Sequence, residues 1–429
     1  MAAVETKIET SPESAFVALF AKVRGSLPGA SWLQPLRAEA LNRVTRDGLP
    51  HRRVEAWKYT DLRNKLPVGL DLAAGGGEVD ADVFDGLMAH RLTIVGGKVV
   101  QVPHDVPDGL EVMSLAEALA MPSLWLRQWL QPCADAVGNL NLAFATDGAL
   151  IRVAKGLQVN LPVLVRSSLN EAAMAHTRNV IVLEDGAELT LVELDDGSGA
   201  GFATAVTAIT LEPGSRLRHL RVTASEGAGV VVRANAIEVA RDAEYRGIVA
   251  SSGAALVRQQ ATARLTGAGA AFSTACAYAV GQGQHTDFTL EVAHEAPHTT
   301  SRIVAKGVAA GTGHGVVQGR VIVKPDAQKS DSHQMSRALL LTPHAEIDQK
   351  PELEIFADDV KCGHGAAIGA LDANQLFYLR ARGIPEDEAR NLLVAAFLSE
   401  VTERLPEPYR GPVDAWLAAR MAAITGAAS

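Results

Sequence analysis

Cysteine is scarce in this chain. Cys133, Cys276 and Cys362 are the only three in 429 residues, too far apart for a disulfide framework. That excludes a stapled secreted domain and points to a reducing, cytoplasmic compartment. No Cys-x-x-Cys pair occurs, so the chain alone lacks the four thiolates of a structural zinc or a cluster. No run reaches about 18 apolar residues, the length of a membrane-spanning helix. The first residues, MAAVETKIETSPES, lack the basic start and apolar core of a secretion signal. Positive charge is in deficit: the formal net charge is -9. This disfavours nucleic acid or an anionic membrane as the main partner, since both require cations to displace counterions. Aromatics make up only 5%, few for an aromatic-lined saccharide groove with paired carboxylates. The phosphate loop G-x-x-x-x-G-K-[ST] and the nucleophile elbow G-x-S-x-G are both missing, so neither a nucleotide site nor a serine hydrolase is indicated.

What is present divides in three. Residues 1–150 read as a helical, α+β region. Ser11, Pro12 and Glu13 mark a helix start, and a second helix is expected over Trp32 to Thr45, broken by Asp47-Gly48-Leu49-Pro50. His51 to Arg63 mixes bases with Trp57 and Tyr59. It reads as a surface loop or short helix with its rings packed beneath wet charges; a nucleic-acid patch fits poorly with the acidic chain. Gly96-Gly97 joins two β-favouring runs as a hairpin. Ser114 and Glu117 have capping-box spacing, and Trp125 to Leu130 reads as a packed helix.

From about 151 to 369 the helix signals fade and a phrase recurs. Leu183-Glu-Asp-Gly-Ala-Glu-Leu189 is echoed by Leu211-Glu-Pro-Gly-Ser-Arg-Leu217 and by Val239-Ala-Arg-Asp-Ala-Glu-Tyr245, each start 28 residues after the last. Weaker copies begin at Leu265 and Leu341. A fixed period with strand alternation inside it predicts stacked coils, a β-helix, with a β-sandwich as the alternative. The open ends of such a stack must be capped or paired, a role the flanking helical parts are expected to fill. His294-Glu295-Ala296-Pro297-His298 matches the zinc-protease pattern, but Pro297 breaks the helix that pattern needs. Gly311 to Gly315 reads as a tight corner. Ser332 and His333 are adjacent on a strand and should face opposite ways.

Residues 370–429 read as helical. Pro385 with Glu386, Asp387 and Glu388 starts a helix whose stripe is Leu392, Leu393, Ala396, Phe397 and Val401. A last short helix is expected around Val413 to Ile424. Between stack and tail lies Lys361-Cys362-Gly363-His364-Gly365. Seven of the twelve histidines fall between 285 and 364. Cys362 and His364, two apart on a strand, share a face. They are either a buried thiol beside a hydrogen-bonded ring or half of a metal site that another segment or subunit completes.

The segment Phe356 to Phe397, with KCGHGAAIGALD, QLFYLRARGIPEDEAR and LLVAAF, resembles the C-terminal signature of the SufB/SufD family of iron–sulfur cluster assembly scaffolds. Arg53 to Thr60 is similar to the N-terminal SufD signature, and Lys329 to Gln334 to the shared core. The Cys-x-His-Gly pattern at Cys362 to Gly365, without the further cysteines of SufB, resembles the SufD branch. The resemblance implies a mainly β fold: a right-handed parallel β-helix core between an N-terminal helical, α+β region and a C-terminal helical domain. It implies a cytoplasmic, non-enzymatic scaffold subunit that pairs through the β-helix with SufB, or with itself, and docks the ATPase SufC on the C-terminal domain. It implies that His364 is the functional histidine, a ligand to iron or to a transient iron–sulfur cluster shared with SufB, with Cys362 beside it, and that this chain binds no nucleotide. The competing expectations are a β-helix carbohydrate-active enzyme and a structural solenoid without a metal role.

Overall fold

A computed structural model describes residues 12–426 apart from 30, 68, 78 and 122–124. Ser11, the expected N-cap, lies outside the described residues. Among the described residues the N-terminal part holds five α-helices: α1 (Pro12–Val23), α2 (Leu33–Asp47), α3 (Leu62–Lys65), α4 (Leu115–Ala120) and α5 (Ala136–Phe144). It also holds strands β1 (His90–Val95), β2 (Lys98–Gln101) and β3 (Leu110–Ser114). β1 and β2 form the hairpin, with Gly96 and Gly97 both at positive φ. The Ser114 hydroxyl caps α4 by accepting from the Glu117 amide. Trp125–Trp129 is a 3-10 turn rather than an α-helix.

Sixteen strands then wind as a parallel solenoid. They are β4 (Ala149–Val153), β5 (Val163–Ser168), β6 (Met174–Leu183), β7 (Glu188–Asp196), β8 (Phe202–Leu211), β9 (Arg216–Thr223), β10 (Val230–Val239) and β11 (Glu244–Ser251). The second half is β12 (Leu256–Leu265), β13 (Ala271–Val280), β14 (His285–His294), β15 (Thr300–Ala309), β16 (His314–Val323), β17 (Asp331–Leu340), β18 (Glu346–Ile355) and β19 (Lys361–Gly369). Even-numbered strands from β4 to β18 stack, with β3, into a nine-stranded sheet; odd-numbered ones stack, with β1 and β2, into a ten-stranded sheet. The fold is therefore mainly β, with a parallel β-solenoid core.

The 28-residue echo is the register of the stack: Leu183 pairs with Leu211 and Leu211 with Val239, while Leu189 pairs with Leu217 and Leu217 with Tyr245. These side chains point inward and fill the lumen together with Leu265 and Phe272. Burying each aliphatic contributes about 2 kcal/mol. Leu265 continues the column by pairing with Val239. Leu341 does not: it follows β17 at the opposite corner of the coil, where the chain passes from the ten-stranded to the nine-stranded sheet.

The recurring turn has a backbone cause. At this turn one residue per coil adopts the left-handed region: Gly186, Gly214, Asp242, Gly269, His298 and Lys329. The amide of each donates to a carbonyl one coil further on, those of Pro213, Arg241, Ala268, Pro297, Gln328 and Asp359 in turn. Glycine takes this conformation without steric cost, which is why the Gly-containing copies are the clearest.

The helical layers lie on the flanks of the stack, not over its C-terminal end as expected. Phe16, Phe20, Trp57 and Phe144 pack on the outer face of the nine-stranded sheet, against Phe202, Val230 and Leu256. Three further helices, α6 (Ala373–Ala381), α7 (Glu386–Thr402) and α8 (Glu407–Gly426), follow β19. Val394, Leu398 and Val401 of α7 and Val413, Trp416 and Met421 of α8 cover the outer face of the ten-stranded sheet at Leu220, Val222, Ala275 and Ala277. The buried stripe of α7 is thus rotated from the expected one, and Leu392 is exposed. α8 is longer than expected and accommodates Pro412 within it.

Candidate site at the open end of the solenoid

β19 is the edge strand of the ten-stranded sheet and β18 that of the nine-stranded sheet. Each pairs with its predecessor on one side only, so both leave a row of backbone donors and acceptors free at the C-terminal end. In β19, Cys362 pairs with Ser332 and His364 with Gln334. Ser332 and Gln334 are buried inward-facing positions of β17. Cys362 and His364 therefore belong to the lumen-facing column of the last coil. With no further coil above, the column opens outward: Cys362 is half-buried against the core and His364 is exposed. Burial pushes the Cys362 thiol up, with Asp331 adding in the same direction against a backbone hydrogen bond from Ser332. Ile355, Phe356 and Ile368 line the rim, 43%, 61% and 45% exposed. Among the described residues, Cys362 and His364 belong to no cluster of three metal-ligating side chains.

The other sequence candidates separate cleanly. His294 is fully buried at the end of β14, its ring nitrogens 2.7 and 2.9 Å from the Thr299 and Ser301 hydroxyls. His298 sits in the corner at positive φ and is exposed, so the two cannot clamp one metal ion. Gly311 is a solenoid corner, as expected, at positive φ just before β16. Ser332 is buried and hydrogen-bonds Ser301, whereas His333 faces solvent beside Asp331.

The His51–Arg63 segment is more than a wet loop. Trp57 is buried and stacks on the Arg258 guanidinium, 3.8 Å from the ring centroid. Arg258 forms a fully buried ion pair with Asp287, which also accepts from the Thr60 hydroxyl. Arg258 donates to the Ala56 carbonyl at 2.7 Å and Gln318 to the same oxygen at 3.3 Å. Glu55 pairs with Lys350 of β18. Removing one member of such a buried pair strands a charge and costs about 3–5 kcal/mol, so these bonds fix the N-terminal layer to the last coils.

A second network was not legible in the sequence. Glu193, Asp195, His219, Arg221 and Arg233 are all buried. His219 Nε2 lies 2.9 Å from Glu193 and its Nδ1 3.0 Å from the Tyr245 hydroxyl, while Arg233 pairs with Asp195. Burial alone would raise the Glu193 carboxyl, but the His219 ring, with Arg233 and Arg221 behind it, holds it at about 2. Charges with such partners are tolerable inside the stack, whose lumen elsewhere also holds hydrogen-bonded polar groups such as Ser301 and Ser332.

Residues 165–397 match the family model described as the SUF system FeS cluster assembly, SufBD core domain, and residues 10–165 match the SufBD protein N-terminal region. The chain is 28% identical to the iron–sulfur cluster assembly protein SufD of Escherichia coli over 86% of its own length and 89% of that protein. It is 29% identical to an iron–sulfur cluster assembly SufBD family protein of Synechocystis, covering 83% and 84% of the two chains. It is 30% identical to SufD of Bacillus subtilis over 62% of each. Together the two models span residues 10–397, from the N-terminal layer through the whole stack into α7, and the chain belongs to the SufBD family of iron–sulfur cluster assembly proteins.

Proposed function

We propose that this chain is a non-catalytic scaffold subunit of a SufBCD-type assembly. Its open solenoid end pairs with a SufB-type subunit or a second copy, and the C-terminal helices dock a SufC-type ATPase. The observation that carries the reading is the position of His364: exposed, on the lumen-facing column of an edge strand, two residues from Cys362, with no third ligand beside it among the described residues. One imidazole and one thiol fill at most two coordination positions. A neighbouring subunit completing the edge would supply the rest, making nascent cluster or iron a shared cargo. For the ATPase, α6 is suited: none of its residues is buried, and Phe377 and Tyr378 are 73% and 56% exposed. α7 and α8, by contrast, are committed to the solenoid.

The test is His364→Ala assayed for cluster maturation with SufB- and SufC-type subunits present. Loss of maturation with an intact complex is expected; full activity removes His364 from the mechanism. Phe377→Glu with Tyr378→Glu should abolish binding of the ATPase while leaving the fold unchanged, since neither ring is buried. A retained complex would move the dock elsewhere.

A further inference from the structure

A separate cluster lies on the outer face of the nine-stranded sheet. His285 of β14, His314 of β16 and Glu346 of β18 occupy one register column across three adjacent strands. Asp348, two residues along β18, shares the outward face of Glu346. The ligating atoms of His314, Glu346 and Asp348 all lie within 4.8 Å of one another, and His314 Nε2 is 2.8 Å from Asp348 Oδ2. The His314 ring is fixed from behind. His285 packs edge-on against it, ring centroids 4.5 Å apart, and is itself held by its Nε2, 3.0 Å from the Thr60 hydroxyl.

The charge pattern around the cluster breaks at this point. Further along the same face, Glu354 and Glu291 pair with Arg320, and Glu352 and Glu55 pair with Lys350. Among the described residues no Lys or Arg pairs with Glu346, and Asp348 has His314 as its sole ion-pair partner. Two carboxylates therefore converge beside one imidazole without a compensating cation, on strands whose ladder hydrogen bonds fix their spacing. Asp348 and Glu346 remain accessible to solvent, which leaves room for water in the remaining coordination positions.

We propose that His314, Glu346 and Asp348 bind a divalent first-row transition cation, distinct from the mouth residues Cys362 and His364. One nitrogen and two carboxylate oxygens, with no thiolate, suit Zn²⁺, Fe²⁺ or Mn²⁺. The set lacks the all-oxygen character that Ca²⁺ and Mg²⁺ prefer. The site stands at the corner where the last coil enters the nine-stranded sheet, whereas Cys362 and His364 stand where it enters the ten-stranded one.

The experiment is equilibrium titration of the metal-free full chain with Zn²⁺, and with Co²⁺ as a spectroscopic probe. The expected result is one equivalent bound with a Co²⁺ ligand-field spectrum. His314→Ala should remove it. Glu346→Gln and Asp348→Asn should each weaken it by more than the roughly 10–100-fold that loss of an outer-shell partner costs. The double variant Cys362→Ser, His364→Ala should retain it. Urea unfolding of the metal-free variants, unchanged from the parent, separates lost ligation from lost fold. No binding by the parent chain, binding indifferent to His314, loss only in the mouth variant, or a preference for Ca²⁺ or Mg²⁺ would each overturn the assignment.

Discussion

His176 shows at the scale of one residue how burial sets chemistry in this chain. It is fully buried on β6, its ring centroid 5.8 Å from that of Phe144 and 5.5 Å from that of Phe202. Nδ1 is 2.7 Å from the Thr204 hydroxyl, and Nε2 has no partner among the described residues. A charged ring there would lack solvation, so burial pulls its pKa down to about 3. The unfolded chain takes up that proton near pH 6.5 and the folded one does not. Stability contributed by the neutral ring is therefore complete above pH 6.5 and is lost as pH falls toward 3. By pH 4.5 the loss reaches about 2–3 kcal/mol for this group. His294, which burial pulls to about 4, acts in the same direction. Urea midpoints at pH 7 and pH 4.5 should thus fall further in the parent chain than in His176→Gln, which keeps a polar partner for Thr204 but does not titrate. Equal slopes would show that the folded chain accommodates the charge.

Among elements, the corner turn explains why part of the stack could be read and part could not. The early repeats share Gly186, Gly214 and Asp242 at one left-handed position and a constant spacing, so the period is visible. Later coils place His298 and Lys329 there and change length: Leu265 pairs with His294, His294 with Val323 and Val323 with Ile355. The signal fades although the hydrogen-bond column continues. The polar lumen was hidden for a different reason. The second halves of β7 and β9 are buried on both faces because α7 and α8 cover their outer side at Leu220 and Val222, so alternation no longer separates inside from solvent, and Glu193 or His219 reads as surface. A left-handed His carries a steric cost near 1 kcal/mol that glycine avoids. His298→Gly should therefore raise stability by up to about 1 kcal/mol, while Gly214→Ala should lower it by a similar amount. Denaturant midpoints of the two variants check both signs. A destabilised His298→Gly would mean that its side chain contributes more than its backbone costs.

For the whole molecule, the question is why one end of the stack stays open. Both broad faces carry helical layers, and no helix among the described residues is long and apolar enough to cross a membrane. Cys362 and His364 were recognisable as a pair from their spacing. Their place at a sheet edge was not, because edge and interior strands share the same alternation. Solitary proteins protect edge strands with charge, proline or bulges. β18 follows that habit, with Glu346, Asp348, Lys350, Glu352 and Glu354 along it; from Cys362 to Gly369, β19 has no Lys, Arg, Asp or Glu at all. An uncharged edge beside exposed Ile355, Phe356 and Ile368 is suited to addition of another strand. Ile368→Lys combined with Phe356→Lys should then abolish association with a second copy or with a SufB-type subunit, read as mass by sedimentation velocity. Because neither side chain is buried, the unfolding free energy from urea titration should change by no more than about 0.5 kcal/mol per site. Unchanged association in a chain of unchanged stability would place the pairing surface on another face and separate His364 from any shared cargo.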